Sequence, residues 1–332
     1  MELLLTGSTG FVGRNLISKI VRETSWQRII LPVRDPEKLK AQLAEEGIAA
    51  DGRLIICRVS GNFWEIPEGV RPDLVIHSAG LLFGRSKEAF YQTNVEGSIR
   101  LVSQLPHAAR VIVLSSLAAR GPTPSDEEKG VHRLLDRPVS FYGASKLSME
   151  RELRNRLGSR LLILRPPMVL GPRDSATLPL FKMASGSVRI KPGFFPKYYS
   201  WIAVDDLCEA ILKAASAAPA GWQRHDPYHL TSGGIITDSE LIAVAGEVLG
   251  IRGVTVRLPH AAIIMASFVM DAVPFWRDIV PSLGRDRLRE LLPNQWVCDR
   301  SSFANHFDWQ PRRNLRETLA EAAEWCKGQG KI

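Results

Sequence analysis

Cysteine is scarce in this chain, and the little there is lies scattered. Four thiols, Cys57, Cys208, Cys298 and Cys326, show none of the close spacings that hold a metal or staple a small secreted domain. They read as reduced thiols, and the expected setting is cytoplasmic. Long apolar runs are missing too. No stretch reaches the roughly 18 residues needed to span a bilayer, and the longest, Ala261–Met270, is closed off by Asp271 and Pro274. The first strand begins within a few residues of Met1, so no signal peptide is expected. No lysine–arginine block with interleaved aromatics occurs, so the net charge of +8 is diffuse. Such a charge suits a phosphorylated cofactor, an anionic substrate or an acidic membrane face, and argues against nucleic acid. Repeats and low-complexity tracts are absent. What remains is 332 residues of 45% hydrophobic content, enough for a full α/β core and a smaller second unit.

The organising stretch is Thr6–Gly13, Thr-Gly-Ser-Thr-Gly-Phe-Val-Gly. It follows an apolar run, Leu3–Leu5, that reads as a buried parallel strand. It leads into Phe11–Val21, where Val12, Leu16 and Ile20 recur at helical spacing. Strand, glycine turn and helix start make a variant dinucleotide-binding fingerprint. Gly7 lets the chain leave the strand, Gly10 lets backbone approach a pyrophosphate, and Gly13 lets helix and sheet pack closely. The helix N-terminus then offers N–H groups to phosphate.

Further strands are expected at Arg28–Val33, Arg53–Val59, Asp73–His77, Arg110–Leu114 and Arg160–Leu164. Helices are expected at Glu37–Glu46, Ser86–Leu105 and Tyr142–Leu157, with a Pro/Ser-rich loop at Gly121–Asp126. This alternation predicts an α/β fold, a doubly wound parallel sheet of Rossmann type, over residues 1–170. Residues 171–332 read as a smaller, mostly helical substrate-binding cap, with Trp201–Val204 and Tyr228–Leu230 returning to extend the sheet. Asp205 and Asp238 sit where helix N-caps belong. Arg34 closes the second strand, ahead of Asp35 and Pro36. An arginine there accepts the 2′-phosphate of NADP through its planar fork, whereas an acid would bind a ribose diol. The cofactor is therefore expected to be NADP, with NAD as the alternative.

Tyr142 and Lys146 stand four residues apart, on one helix face. A phenol ordinarily titrates near pH 10. A neighbouring ammonium stabilises the phenolate, which is the tuning a proton-transfer group needs. Ser116, one of a strand-end serine pair, is placed to hydrogen-bond a substrate oxygen.

Together these motifs resemble those of the extended short-chain dehydrogenase/reductases, in particular 3β-hydroxysteroid-dehydrogenase-like members of the epimerase/dehydratase group. The resemblance rests on Thr6–Gly13, Asp73–Gly80, Asn94–Ser98, Ser115-Ser116, Tyr142/Lys146, Arg165–Pro172 and Trp201–Asp206, and covers nearly the whole chain. It implies that Tyr142 exchanges a proton with the substrate oxygen while hydride moves to or from a nicotinamide. Lys146 would also hold the nicotinamide ribose, and Ser116 lies five residues before Gly121, as the family's serine does before its glycine. Asn94 matches the family's helix-kinking asparagine. The implied cofactor contacts are Gly7, Thr9, Gly10, Phe11, Val12, Gly13, Arg34, Ala79, Lys146 and Pro166, with Met168 toward the substrate. No metal is implied, and a homodimer through Ser86–Leu105 and Tyr142–Leu157 would follow the family habit.

Departures from the family pattern narrow the reaction. Leu117 and Ala118 follow Ser116 where dehydratases carry an acidic pair, so dehydration is not expected. Met168 stands where sugar-nucleotide epimerases often have asparagine. Val59-Ser60-Gly61-Asn62 lacks the usual aspartate for adenine, and Ala203 replaces a frequent histidine. His260–Leu292 combines an apolar run with the basic Arg285–Arg289 stretch, as a lid over an apolar substrate or an element resting on an anionic membrane would. The expected function is interconversion of a secondary alcohol and a ketone on a bulky apolar small molecule. Alternatives are a sugar-nucleotide epimerase with tightly held NAD, a non-catalytic dinucleotide-binding subunit and, more distantly, a thioester reductase.

Overall fold

Near-continuous apolar runs build the central sheet, because a parallel sheet covered on both faces must bury both. In the computed structural model, which describes residues 1–59, 66–84, 86–123, 135–218, 222, 226–259 and 285–332, six such runs form β1 (Glu2–Thr6), β2 (Arg28–Val33), β3 (Leu54–Arg58), β4 (Leu74–His77), β5 (Arg110–Leu114) and β6 (Leu161–Arg165). All pair in parallel, in the order β6-β5-β4-β1-β2-β3, and Tyr228–His229 adds a seventh parallel strand beside β6. This is the doubly wound Rossmann arrangement.

Alternation along each strand sends neighbours to opposite layers. Leu3, Leu5, Ile29 and Leu31 pack with Leu16 and Ile20 of α1 (Phe11–Glu23) and with Leu207 and Ile211 of helix Val204–Ser216. Leu4, Ile30 and Val75 face the other way, against Val95, Met149 and Leu153. Strand order reverses between β1 and β4, and the crevice at such a switch point is where open α/β sheets bind ligands.

The later half makes a third core. Leu170, Phe181, Trp201 and Leu319 cluster there, fed by helices Leu178–Ala184, Asp238–Val248 and Leu315–Gly328. Trp201–Ala203 does not extend the main sheet as expected. It pairs in parallel with Met168–Leu170 in a separate two-stranded ribbon.

Both expected aspartate caps are displaced by one or two positions. Helix Val204–Ser216 is preceded by Ala203, and Asp205 lies in its first turn, bonded to Lys19 and Arg313. Helix Asp238–Val248 is capped by Thr237, whose hydroxyl accepts from Glu240 N while the Glu240 carboxylate accepts from Thr237 N. The threonine and glutamate form a reciprocal box, which leaves Asp238 to other partners.

Ala261–Met270, residues 260–284 of the expected lid, Ser60–Asn62 and part of the Gly121–Asp126 loop lie outside the described residues. Of the lid, Arg285–Leu291 is a helix. Among the described residues no helix is long and apolar enough to cross a membrane.

Candidate active site

Several of the residues singled out from the sequence fall in the turns leaving the C-terminal ends of the sheet strands, whereas Tyr142 and Lys146 stand on a helix. Gly7 follows β1, Arg34 follows β2, Ala79 follows β4, Ser116 follows β5 and Pro166 follows β6. Met168 opens the ribbon strand just beyond Pro166.

The glycine turn has the shape its sequence demands. Gly7 has φ +75°, and a Cβ there would come within 2.7 Å of the Ala79 nitrogen. At Gly13 a Cβ would lie 2.1 Å from the Gly7 carbonyl oxygen, so only glycine lets α1 approach β1 this closely. Gly10 precedes α1 with no side chain capping the helix, and its N–H donates to Gly7 O at 2.9 Å. The N–H groups of Phe11, Val12 and Gly13 open that helix with no acidic side chain in its first turn. A cradle that excludes side chains, ending on a bare helix N-terminus, fits the pyrophosphate of a dinucleotide. Thr9 is half-buried in the same turn.

Arg34 is exposed beyond β2, whereas Asp35 is committed: its carboxylate accepts from Lys38 N at 3.0 Å and caps helix Pro36–Glu45. The acid next to the expected ribose position thus serves the fold, and the guanidinium is left facing solvent.

Behind the turn runs a buried hydroxyl–imidazole chain. Ser98 Oγ donates its one proton to Asn94 O at 2.7 Å, so at its 2.7 Å contact with His77 it accepts from Nε2. Nδ1 is then the acceptor and Thr6 Oγ1 the donor, at 2.7 Å. Burial, with the Lys146 charge adding to it, pushes the His77 pKa down to about 3 and keeps the ring neutral. The end of β1 is thereby tied through β4 to helix Gly97–Ser103.

Asn94 sits in a π-helical turn, Tyr91–Glu96, between helices Lys87–Phe90 and Gly97–Ser103. Its side chain accepts from Leu81 N at 2.7 Å and donates to Leu81 O at 3.1 Å and Ser145 Oγ at 2.9 Å. The wider turn aims this amide at the loop after β4, and Ser145 joins it to the helix that carries the tyrosine and the lysine.

That helix, Phe141–Leu157, starts at Ser140, whose hydroxyl accepts from Gly143 N. Lys146 is buried; its ammonium donates to Leu114 O at 2.9 Å and lies against Gly80, where a Cβ would stand 3.0 Å from Nζ. Burial lowers its pKa to about 8, and the Glu150 carboxylate opposes the fall. Tyr142, half-buried one turn earlier, packs with Leu117, Ala118, Trp296 and Cys298 and meets the Phe90 ring at a centroid distance of 6.2 Å. Ser116 is half-buried at the head of helix Leu117–Arg120 and accepts from Ala118 N at 3.1 Å, which leaves the hydroxyl proton for another acceptor. Ser115 points inward instead and donates to Glu150.

Glu150, Arg165 and Asp136 form an ion network that the sequence did not single out. Arg165 donates to Glu150 at 2.8 and 2.6 Å and to Asp136 at 2.7 and 2.8 Å. Burial works against its charge, but these bonds outweigh burial and raise its pKa. The four-residue step from Lys146 to Glu150 was a visible signal; the aspartate lies 29 residues from the arginine and was not. Among the described residues no group of His, Cys, Asp or Glu could hold a metal.

Residues 3–226 match the NAD-dependent epimerase/dehydratase family. Across 98% of the chain, and 94% of the relative, the sequence is 28% identical to a ceramide reductase of Caulobacter vibrioides. A 4-hydroxy-2-methyl-3-oxo-4-farnesyl-3,4-dihydroquinoline-1-oxide ketoreductase of Stigmatella aurantiaca is 26% identical, over 87% of the chain and 85% of its own length. The fold is similar to that of UDP-glucuronic acid 4-epimerase from Bacillus cereus, solved with UDP-glucuronic acid and NAD, with a TM-score of 0.73, 16% identity and coverage of 99% of this chain and 100% of that one. A glycine cradle at the switch point, a family match over most of the length and reductase relatives spanning nearly all of it agree: the chain belongs to the NAD-dependent epimerase/dehydratase family, as an extended short-chain dehydrogenase/reductase, and is an NAD(P)-dependent oxidoreductase.

Proposed function

We propose that this enzyme interconverts a ketone and a secondary alcohol on a hydrophobic, lipid-like molecule, with NADP(H) as cofactor. The observation that carries the reading is the Lys146 ammonium, buried at the ends of β4 and β5 with Tyr142 one turn away on the same helix. Gly7, Thr9, Gly10, Phe11, Val12 and Gly13 would cradle the pyrophosphate and Arg34 the 2′-phosphate, with Ala79, Lys146 and Pro166 along the nicotinamide half. When bound, NADPH supplies the hydride. Tyr142 gives its phenolic proton to the substrate oxygen, and Ser116 donates a hydrogen bond to the same oxygen. Lys146 lowers the cost of the phenolate left behind, an effect made large by its dry setting.

An apolar substrate is supported by the side chains around Tyr142. Tyr142 stands among Leu117, Val139, Trp296 and Tyr199, and Leu82 and Phe83 are partly exposed on the loop after β4. Met168 is half-buried at the start of its strand. The two curated relatives named above point the same way, since ceramide and a farnesyl-bearing quinoline are both largely hydrocarbon. The test is NADPH-linked reduction of a long-chain ketone by the purified chain, with Tyr142→Phe beside it. The variant is expected to lose turnover by about 10²–10⁴-fold while still binding NADPH. Undiminished turnover would remove the tyrosine from the reaction, and tightly retained NAD with no net consumption of added NADPH would favour an epimerase.

A further inference from the structure

We propose that the turn Gly193–Phe195 is a docking wedge that seats the protein on an anionic lipid bilayer. Phe194 and Phe195 are 57% and 72% exposed, an unusual cost for two adjacent aromatic side chains. They do not sit on a loose loop. Lys191, only 1% exposed, runs beneath the turn and donates from Nζ to Phe195 O at 2.9 Å and Gly193 O at 3.4 Å. The same ammonium lies 2.9 Å from an Asp238 carboxylate oxygen, an ion contact rather than an aligned hydrogen bond. Gly193 takes φ +79° and donates its N–H to Leu258 O at 2.7 Å. A buried cation, its counter-ion and a left-handed glycine thus hold two rings out in water.

The surface around the turn matches a bilayer. Strand Val188–Pro192 pairs with Val254–Leu258, and Val188, Val254 and Val256 are exposed along them. Arg257, in register with Lys191 and so beside the turn, is exposed on the ribbon face opposite the valines, and it joins no ion pair among the described residues. Exposed aromatic rings with an exposed cation beside them are what an anionic interface attracts. A partner protein fits less well. Two rings and three valines fall short of the roughly 800 Å² per partner that a stable complex buries, whereas a bilayer asks for no matching shape.

This surface is independent of the reaction proposed above, since lipid binding needs neither substrate nor turnover. The full chain is sedimented with vesicles of phosphatidylcholine alone and of phosphatidylcholine with phosphatidylglycerol. Binding is expected with the anionic vesicles, and Phe194→Ser with Phe195→Ser should reduce it by about tenfold or more while NADPH affinity stays unchanged. Phe195→Trp supplies a second readout, a blue-shifted emission on anionic vesicles. The proposal is overturned if the wild-type chain ignores both vesicles, if the serine variant binds as well as the wild type, or if the emission of the Phe195→Trp variant does not change when anionic vesicles are added. A serine variant that instead drops from dimer to monomer would also overturn it, and would make the turn a contact between two copies of this chain.

Discussion

The Lys146 ammonium donates to the carbonyl of Leu114, the last residue of β5, at 2.9 Å. That bond anchors a buried charge at the sheet edge, and burial sets its pKa near 8. Reduction should therefore fall as pH rises through about 8, where the ammonium and its hold on the phenolate are lost. Stability should move the other way. Because the folded value lies below the 10.5 of a free lysine, the unfolded chain binds more protons between about pH 8 and 10.5, and this group makes folding more favourable across that window. A rate profile in pH set beside thermal melts checks this, and a rate loss that tracks melting would refute it.

Gly13 and Gly10 should respond differently to alanine. At Gly13 the new Cβ meets the Gly7 carbonyl at 2.1 Å, backbone against backbone, so α1 must move away from β1. Gly13→Ala is expected to cost about 1–3 kcal/mol in urea melts and to weaken NADPH binding. Gly10→Ala meets only the Gly7 oxygen at 3.2 Å. It should leave the free protein nearly as stable yet still impair NADPH, since the added methyl stands where phosphate would approach.

Arg34→Ala is expected to weaken NADPH by about tenfold or more and leave NADH little changed, because one charge-assisted pair is worth about 1.5–3 kcal/mol. Asp35 offers no substitute, because an anionic carboxylate, which accepts from Lys38 N, repels a phosphate. Titration of both cofactors against both proteins decides it, and equal NADPH affinity would withdraw the NADP assignment.

The sheet and its glycine turn were legible because their signals are local: an apolar run, a φ-positive glycine and a helical period lie within twenty-odd residues of one another. The four-residue step that puts Tyr142 and Lys146 on one helix was legible for the same reason. The Thr6–His77–Ser98 chain was not, since its members stand 71 and 21 residues apart and each alone is an ordinary polar residue. The helix starts near Asp205 and Asp238 were read on composition, but Thr237 with Glu240 makes the better box and Asp205 is drawn to Lys19 and Arg313. Trp201–Ala203 looked like a strand and is one; which strand it joins depends on a tertiary partner, Met168–Leu170, that spacing does not reveal.

Asp174 provides a test of burial against charge, away from the reacting groups. It accepts from Ala176 N at 2.8 Å, at the turn into helix Leu178–Ala184. Burial raises its pKa from 3.8 to about 6, even though this bond and those with Thr177 favour the charged form. With the folded value above the unfolded one, the folded chain binds more protons between about pH 4 and 6. Its contribution to stability is therefore lost as pH rises through 6. Asp174→Asn keeps an acceptor for Ala176 and removes the charge. At pH 8 the variant should be more stable by up to about 3 kcal/mol, two pKa units converted, and the gain should shrink toward zero near pH 4. Urea melts at the two pH values measure it; a variant that is less stable at pH 8 would show that the carboxylate is held by its hydrogen bonds rather than opposed by its burial.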